Sequence, residues 1–329
     1  MRTKLTSIPA LMIMLGALLP GTEAFGFGKD DAGTSGGEFL KLGADARGAG
    51  LGSAMAAASD DASAVYWNPA GLSQVTQHQL NFTGAQLYQS MAYGFMVYAR
   101  PIKALVAPRR RFLRPSGMGT LALGALYLDA GTMQEMDNTG HPTGGKVTPR
   151  DLAVMAGWGA SITNLLDIGL TLKYIDSHIQ ATARTGTADV GMRLRMHLAD
   201  WPYVIAVSGH NLFGRLKFRS QEDPLPMSVR LGQSLKPLPY WTLTGDFVVP
   251  RDNAPYPNLG TEFTVPIQDH TAIFLRGGWS GRTNSADLDG VTGIAFGMGF
   301  RLKVFGIDYG WAPYGVLGNT HRFSVTFQF

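Results

Sequence analysis

The chain has 329 residues, 28 Lys and Arg against 24 Asp and Glu, and no Cys. A net charge of +4 is slight for this length and argues against a nucleic-acid binder, and the absence of Cys excludes a disulfide framework, a thiolate metal site and a lipidated cysteine. Charged residues are 16%, against about 25% in soluble proteins, and Gly numbers 42; both suit a sheet with one face toward lipid.

The chain opens with Arg2 and Lys4, followed by an apolar stretch from Ile8 to Leu19 broken only by Pro9 and Gly16. Small residues follow up to Ala24. This pattern predicts a secretory signal peptide over residues 1–24. The apolar stretch is short for a membrane anchor, and no later run of 18 apolar residues predicts a helical span.

Residues 25–76 differ from the remainder. They are rich in Gly and Ala and carry no alternating strand pattern. Asp60 and Asp61 are placed to cap a short helix over Ala62 to Trp67. Pro69 ends that helix and holds Asn68 out of helical geometry.

From about His78 the sequence changes to alternating runs of roughly ten residues, each the length of a tilted transmembrane strand. Fourteen are predicted, at 78–88, 91–101, 117–128, 150–161, 165–177, 185–197, 202–210, 226–236, 240–249, 256–266, 269–280, 290–301, 303–312 and 319–329. The region 77–329 therefore reads as an all-β, antiparallel transmembrane barrel of about 14 strands. Connections after the fourth, sixth, eighth, tenth and twelfth strands are brief, as periplasmic turns are. Those after the third, seventh and eleventh are long and rich in Gly, Pro, Asn and Asp, as outer loops are. The second periplasmic connection, 103–116, breaks the pattern and contains Arg109, Arg110, Arg111 and Arg114. It reads either as a solvated basic turn or as a site for anionic headgroups or a periplasmic partner.

The strand faces are amphipathic. Leu166, Ile168, Leu170, Leu172 and Tyr174 oppose Asp167, Thr171 and Lys173, and Phe305, Ile307, Tyr309 and Trp311 oppose Gly306, Asp308 and Gly310. Asp167, Lys173, Asp189, Arg193, Arg195, Arg230, Asp246, Arg276, Asp308 and Arg322 fall on one side. Charge is costly toward lipid, so that side is predicted to be the lumen. A soluble β-sandwich would instead need those charges on an outer surface. The last strand sets Phe323, Val325, Phe327 and Phe329 against Arg322, Ser324, Thr326 and Gln328. It resembles the C-terminal assembly signal that the barrel assembly machinery reads in bacterial outer-membrane proteins.

The segment Gly43 to Leu72 holds Asp45-Ala46-Arg47-Gly48-Ala49-Gly50, Ser59-Asp60-Asp61 and Tyr66-Trp67-Asn68-Pro69-Ala70-Gly71. It resembles the opening of the PorV/PorQ family of outer-membrane proteins, which is related to the FadL-type long-chain fatty-acid transporters. Ala188-Asp189-Val190-Gly191, His210-Asn211-Leu212-Phe213-Gly214, Asp223-Pro224-Leu225-Pro226 and Asp308-Tyr309-Gly310-Trp311 are also similar to that family. The resemblance implies a fourteen-stranded barrel in the bacterial outer membrane, with residues 25–76 as a hatch in its lumen. The hatch signature is Arg47, Gly48, Gly50, Asp60, Asp61, Asn68, Pro69, Ala70 and Gly71.

No enzyme is predicted. Gly48-Ala49-Gly50-Leu51-Gly52 superficially resembles a nucleotide loop, but no βαβ unit or Walker lysine accompanies it, and small residues packing a hatch explain it better. None of the seven His lies within five residues of another, and no serine-nucleophile signature is present, so neither a catalytic group nor a metal or other cofactor is expected. Asn284, Asp287 and Asp289 read as turn chemistry in an outer loop, with a hard cation as the alternative. Arg47, Asp60 and Asp61 are expected to pair with the lumenal Asp and Arg set, seating the hatch as a gate or a permanent stopper. Three functions stay open. An interaction protein of PorV type would bind secreted cargo or envelope partners. A transporter of FadL type would pass hydrophobic ligands and would show an apolar pocket beside the hatch and a break in strand pairing near it, with Gly277-Gly278 a place to look. A structural envelope component would do neither. Outer-membrane lipid is a partner in every case.

Overall fold

The computed structural model describes residues 33–87, 91–102, 118–136, 139, 141–218, 221–268, 270–284 and 290–329. The predicted signal peptide and the basic connection 103–116 lie outside them. The strands in chain order are β1 (Gln79–Gln86), β2 (Ala92–Pro101), β3 (Thr120–Asp129), β4 (Met133–Met136), β5 (Pro142–Val147), β6 (Arg150–Ser161), β7 (Leu166–His178), β8 (Thr182–Leu198) and β9 (Trp201–His210). They continue as β10 (Arg215–Phe218), β11 (Gln221–Pro224), β12 (Ser228–Leu238), β13 (Trp241–Pro250), β14 (Tyr256–Gln268), β15 (Thr271–Ser280), β16 (Ile294–Leu302), β17 (Phe305–Pro313) and β18 (Asn319–Gln328).

Fourteen of these close into one antiparallel barrel, in the order β1-β18-β17-β16-β15-β14-β13-β12-β9-β8-β7-β6-β3-β2. Closure leaves no unpaired strand edge, which the hydrocarbon interior requires. The closing seam pairs β1 with β18, from Gln79 opposite Gln328 to Gln86 opposite His321. Two register shifts occur, at Leu235/Leu238 and Pro266/Gln268, both at the end with short turns.

The four remaining strands form two small hairpins, β4–β5 and β10–β11, which project from the other end. Sequence reading takes both segments as loops. Met133–Met136 and Pro142–Val147 are almost wholly exposed, so neither carries a buried face whose alternation would announce a strand. At the short-turn end, Ala199, His270 and Lys303 adopt positive φ of 55°, 61° and 52°, the geometry that tight hairpins demand. That end is periplasmic in outer-membrane barrels, so the projecting hairpins mark the outer side.

The outward face is apolar. Leu123, Leu172 and Met298 are 64%, 54% and 58% exposed, which in a bilayer is exposure to lipid. Aromatic rings pair across strands on this face, Trp241 with Phe263 at 5.4 Å and Phe296 with Trp311 at 5.8 Å between centroids. Such pairs add about 0.5–1.5 kcal/mol each beyond burial. The core lies inside the barrel, where residues 36–75 pack against the wall. Two short helices, α1 (Ala46–Gly50) and α2 (Ala64–Trp67), and helical turns at Glu38–Lys41 and Pro69–Gln74 interrupt this segment.

Helix α2 is shorter than the predicted 62–67, and neither aspartate caps it by a side-chain hydrogen bond. Asp61 Oδ1 instead accepts from the backbone N–H of Ser63 at 2.8 Å and from its hydroxyl at 2.6 Å. This local turn competes with the first helical turn and delays the start. Asn68 is extended, with φ −166° and ψ 106°, as the following proline requires.

Candidate functional site

The inner segment runs the height of the barrel. At the outer end, the backbone N–H of Gly36 donates to Pro224 O of the β10–β11 hairpin at 2.9 Å. Lys41 Nζ lies 2.5 Å from Asp252 on the turn between β13 and β14, and 2.7 Å from Glu38. Burial pushes the Asp252 carboxyl up, but the Lys41 hydrogen bond and charge outweigh this and hold it below the usual carboxylate range. Burial raises Glu38 above that range despite the same lysine. At the periplasmic end, Ala62 N–H donates to Gln79 Oε1 at 2.8 Å, and Thr120 of β3 donates to Val75 O at 3.2 Å. Residues 36–43 thus form a strap at the outer end, and residues 60–75 a base at the inner end. It occupies the lumen where the sequence leads one to expect a hatch, and is called the hatch for that reason.

A Gly- and Ala-rich chain with little helix leaves many main-chain donors and acceptors unpaired, and buried ones must find partners. The wall supplies them. Met55 N–H and Ala56 N–H both donate to Asp246 Oδ2 at 2.9 Å. Thr244 donates to Ala54 O at 2.9 Å, Thr171 to Val65 O at 3.0 Å, and Tyr93 to Gly43 O at 2.5 Å. Ser324 accepts from Ala46 N–H at 2.9 Å. Arg193 donates to Ala57 O at 3.0 Å, Arg230 to Ser53 O at 3.5 Å, and Arg322 to the carbonyls of Gly43, at 2.8 Å, and Leu42.

Sequence reading pairs Arg47, Asp60 and Asp61 with the lumenal Asp and Arg set, but Arg47 pairs with Asp60, Asp61 and Glu262, and no ion pair links the three to that set among the described residues. Arg193, Arg230, Asp246 and Arg322 form no ion pair among the described residues, and grip hatch backbone instead. The other wall charges pair largely with one another: Lys173 with Asp189 at 2.6 Å, Arg195 with Asp167 at 3.0 Å, and Arg276 with Asp308 at 2.6 Å. Besides the Lys41–Asp252 pair at the outer end, a chain of charges crosses from hatch to wall through Arg47. Arg47 contacts Asp60 at 2.6 Å and Asp61 at 3.2 Å within the hatch, and Glu262 of β14 at 3.2 Å. Glu262 in turn contacts Arg276 at 2.6 Å.

Sequence reading overlooks Glu262, although it alternates with the lipid-facing Leu259, Phe263 and Val265 and that period was available. It also overlooks Asp45, which accepts from Trp67 Nε1 at 2.9 Å and caps α1 through Gly48 N–H at 3.3 Å. An Asp directly before a short Ala/Gly helix is a capping signal.

The hatch signature also meets the wall through absent side chains. Pro69 and Ala70 lie directly against Gly169, and Pro69 O against Gly159. Asn68 lies against Gly191, where a methyl group would overlap its Oδ1. Asn68 itself is buried, donating to Ala56 O at 2.7 Å and accepting from Ala70 N–H at 3.1 Å. Gly50 packs on the backbone of Gly297, Gly48 on the Trp67 ring and Gly71 on Ser59. Glycines on β6, β7 and β8 therefore form a recess for the Asn68–Ala70 turn.

Among the described residues, the expected break in strand pairing beside the hatch is not found. Gly277 and Gly278 pair regularly with Thr261 and Gly260 of β14, and Gly278 presses on the backbone of Leu51 and Gly52. Two small, partly open spaces beside the hatch measure about 30 and 20 Å³, room for a water or two rather than an organic ligand.

One cluster looks like hydrolase chemistry. Ser208 Oγ lies 2.9 Å from His210 Nε2, and His210 Nδ1 lies 3.2 Å from Asp189 Oδ2. Yet Ser208 is only 1% exposed, and Asp189 also takes Lys173 Nζ and, at 2.8 Å, Asn211 N–H. The serine is closed off from substrate, and the group works as a knot fixing the β9 terminus. Among the described residues no three His, Asp or Glu side chains gather to hold a metal.

No protein-family model and no curated protein matches the sequence. Solved structures match the fold. The toluene transporter TodX of Pseudomonas putida superposes with a TM-score of 0.54 at 10% identity, covering 86% of this chain and 96% of its own. The toluene transporter TbuX of Ralstonia pickettii gives 0.55 at 10%, covering 87% and 98%. A FadL homologue of Pseudomonas aeruginosa gives 0.50 at 10%, covering 87% and 98%. The protein is an all-β, fourteen-stranded antiparallel transmembrane barrel. Its fold is that of the FadL-type barrels.

Proposed function

We propose that this barrel passes small hydrophobic molecules across the outer membrane, with the hatch as its gate. The observation that carries the reading is the fold shared with two toluene transporters over 86% and 87% of the chain. The spaces described beside it are about 30 and 20 Å³, and on this reading the hatch shifts to let a ligand pass. Its grip on the wall is mainly by hydrogen bonds, which exchange with water on displacement and so allow a reversible shift. The test is uptake of a monoaromatic hydrocarbon by cells with and without the protein. Equal uptake rates would sink the reading.

One observation favours a second reading. The wall ladder continues unbroken past the hatch, and the hatch is densely packed, as suits a stopper whose barrel serves as a platform. On that reading the protein binds secreted cargo or envelope proteins, in the manner of the PorV/PorQ type. Purification from native envelopes in mild detergent checks it: a stoichiometric partner supports it, and a barrel alone rejects it.

A further inference from the structure

We propose that the connection between β9 and β12 is a cover that moves with the start of the strap as one body, and that Asn211 is the catch holding this body on the wall. The described part of the connection, residues 211–218 and 221–227, stands at a step in the outer rim. β8 pairs with β7 as far out as Thr182, but with β9 only as far as Val190. The step is a difference in strand length and leaves the pairing below it continuous. Beside the outer part of β8 runs the connection: Leu212 N–H donates to Ala188 O at 3.0 Å, and β10 packs on β8.

Both ends of the connection meet at one residue. Asn211 is buried and holds a left-handed φ of 51°. Its backbone N–H donates to Asp189 Oδ1 at 2.8 Å, its Oδ1 accepts from Lys173 Nζ at 3.1 Å, and its Nδ2 donates to Pro226 O at 3.0 Å. Asp189 and Lys173 belong to the wall and pair at 2.6 Å. The far part of the connection holds the strap. Gly36 N–H donates to Pro224 O at 2.9 Å, and Gly36 and Gly37 lie against the buried Leu216 and Leu225. Those leucines share one apolar cluster with Phe39 and Leu40 of the strap.

The two joints differ in chemistry. Parting the strap from Leu216 and Leu225 exposes apolar surface to water, which is unfavourable. Parting Asn211 from Asp189 and Lys173 returns polar and charged groups to water, and their hydration offsets much of the loss. A loop whose ends meet and whose side chains pack within it behaves as a unit. The outer end therefore yields at Asn211, and residues 36–40 travel with the cover. Lys41 and the carbonyls of Leu42 and Gly43, held by Asp252 and Arg322, mark where the moving part stops. This division stands whether or not the barrel transports.

The test is hydrogen exchange of the purified full chain in detergent. Asn211→Gly removes the side-chain bonds and keeps the left-handed backbone free of strain. Exchange should accelerate roughly tenfold in residues 36–40 and in the connection together. Acceleration in the connection alone, or in neither, overturns the proposal. A cross-link gives a second readout. The chain has no Cys, and a Cβ at Gly36 would stand 3.3 Å from the Asp223 Cβ, near the disulfide span of about 3.5–4.5 Å. Gly36→Cys with Asp223→Cys, added to Asn211→Gly, should keep the acceleration in residues 36–40 when the disulfide is closed as when it is reduced. Slowing on closure would show that the strap peels away from the cover, and would equally overturn the proposal.

Discussion

His78 and Phe329 exchange both backbone hydrogen bonds, each 3.0 Å long, and their rings stack with centroids 5.6 Å apart. They extend the β1–β18 seam by one pair beyond Gln79 and Gln328. The final residue is therefore part of the closure, with one main-chain pair and one aromatic contact.

Removing Phe329 takes away that pair and contact at the point where the ring closes. The expected result is severalfold less protein in the outer membrane, scored by membrane fractionation and by the heat-dependent gel shift of folded barrels. Phe329→Leu keeps the backbone bonds and should lie between wild type and the truncation. Normal insertion of the truncated chain would remove the assembly-signal reading of Phe323, Val325, Phe327 and Phe329.

Gly191→Val puts a branched side chain where Asn68 Oδ1 now lies. Overpacking of this kind costs about 1–3 kcal/mol, read as a lower thermal transition. The outward side of β8 is untouched, so insertion should persist. If the hatch gates transport, hydrocarbon uptake should also rise, because the Asn68–Ala70 turn can no longer seat. Unchanged stability would show that the recess is looser than described.

Glu262→Gln removes the one carboxylate that contacts both Arg47 and Arg276. Breaking a buried pair from one side costs about 3–5 kcal/mol. Asp60→Asn should cost much less, since Asp60 is nearly half exposed and Arg47 keeps Asp61 and Glu262. Thermal unfolding of the two variants side by side checks the order; equal losses would refute it.

The strap should respond to acid with a defined sign. Asp252 sits below its ordinary range when folded, so its contribution is complete above the unfolded carboxylate value near 4 and is lost as pH falls through its lowered folded value. Glu38, raised by burial, acts oppositely: its neutral form is favoured, so it opposes the folded strap as pH rises through its raised value. The Lys41–Asp252 link should weaken as pH falls below about 4 and fail once it has passed the lowered value of Asp252, and hydrogen exchange of residues 36–43 should accelerate over that range. Asp252→Asn should show the fast exchange at every pH. Exchange that ignores pH in wild type would deny the link a role in holding the strap.

The barrel was legible because a wall with lipid on one side and charge on the other forces a period of two. Alternation predicts fourteen strands, and the structure closes fourteen, most boundaries falling within two or three residues. The β4–β5 hairpin was illegible for the converse reason, since both of its faces are largely exposed, and β10–β11 because a four-residue strand that buries only Leu216 offers too short an alternation. The site was legible only in its side chains. Arg193, Arg230, Asp246 and Arg322 can be placed on the inner face from sequence, but their partners are main-chain groups of residues 42–57, which carry no residue-type signature. The wall glycines misled too. Their number reads as suiting a sheet with one face toward lipid, whereas Gly159, Gly169 and Gly191 make room on the inner face for Asn68, Pro69 and Ala70.

The strap at one end and the junction with β1 at the other give the hatch the topology of a thread through a ring. A ring can lose its thread in two ways: by opening the seam between β1 and β18, or by drawing the strap lengthwise through the lumen. Both dismantle many contacts at once. Sliding of one half while the other stays anchored dismantles few. A stroke of that kind, with strap and base moving at separate times, breaks fewer contacts than either.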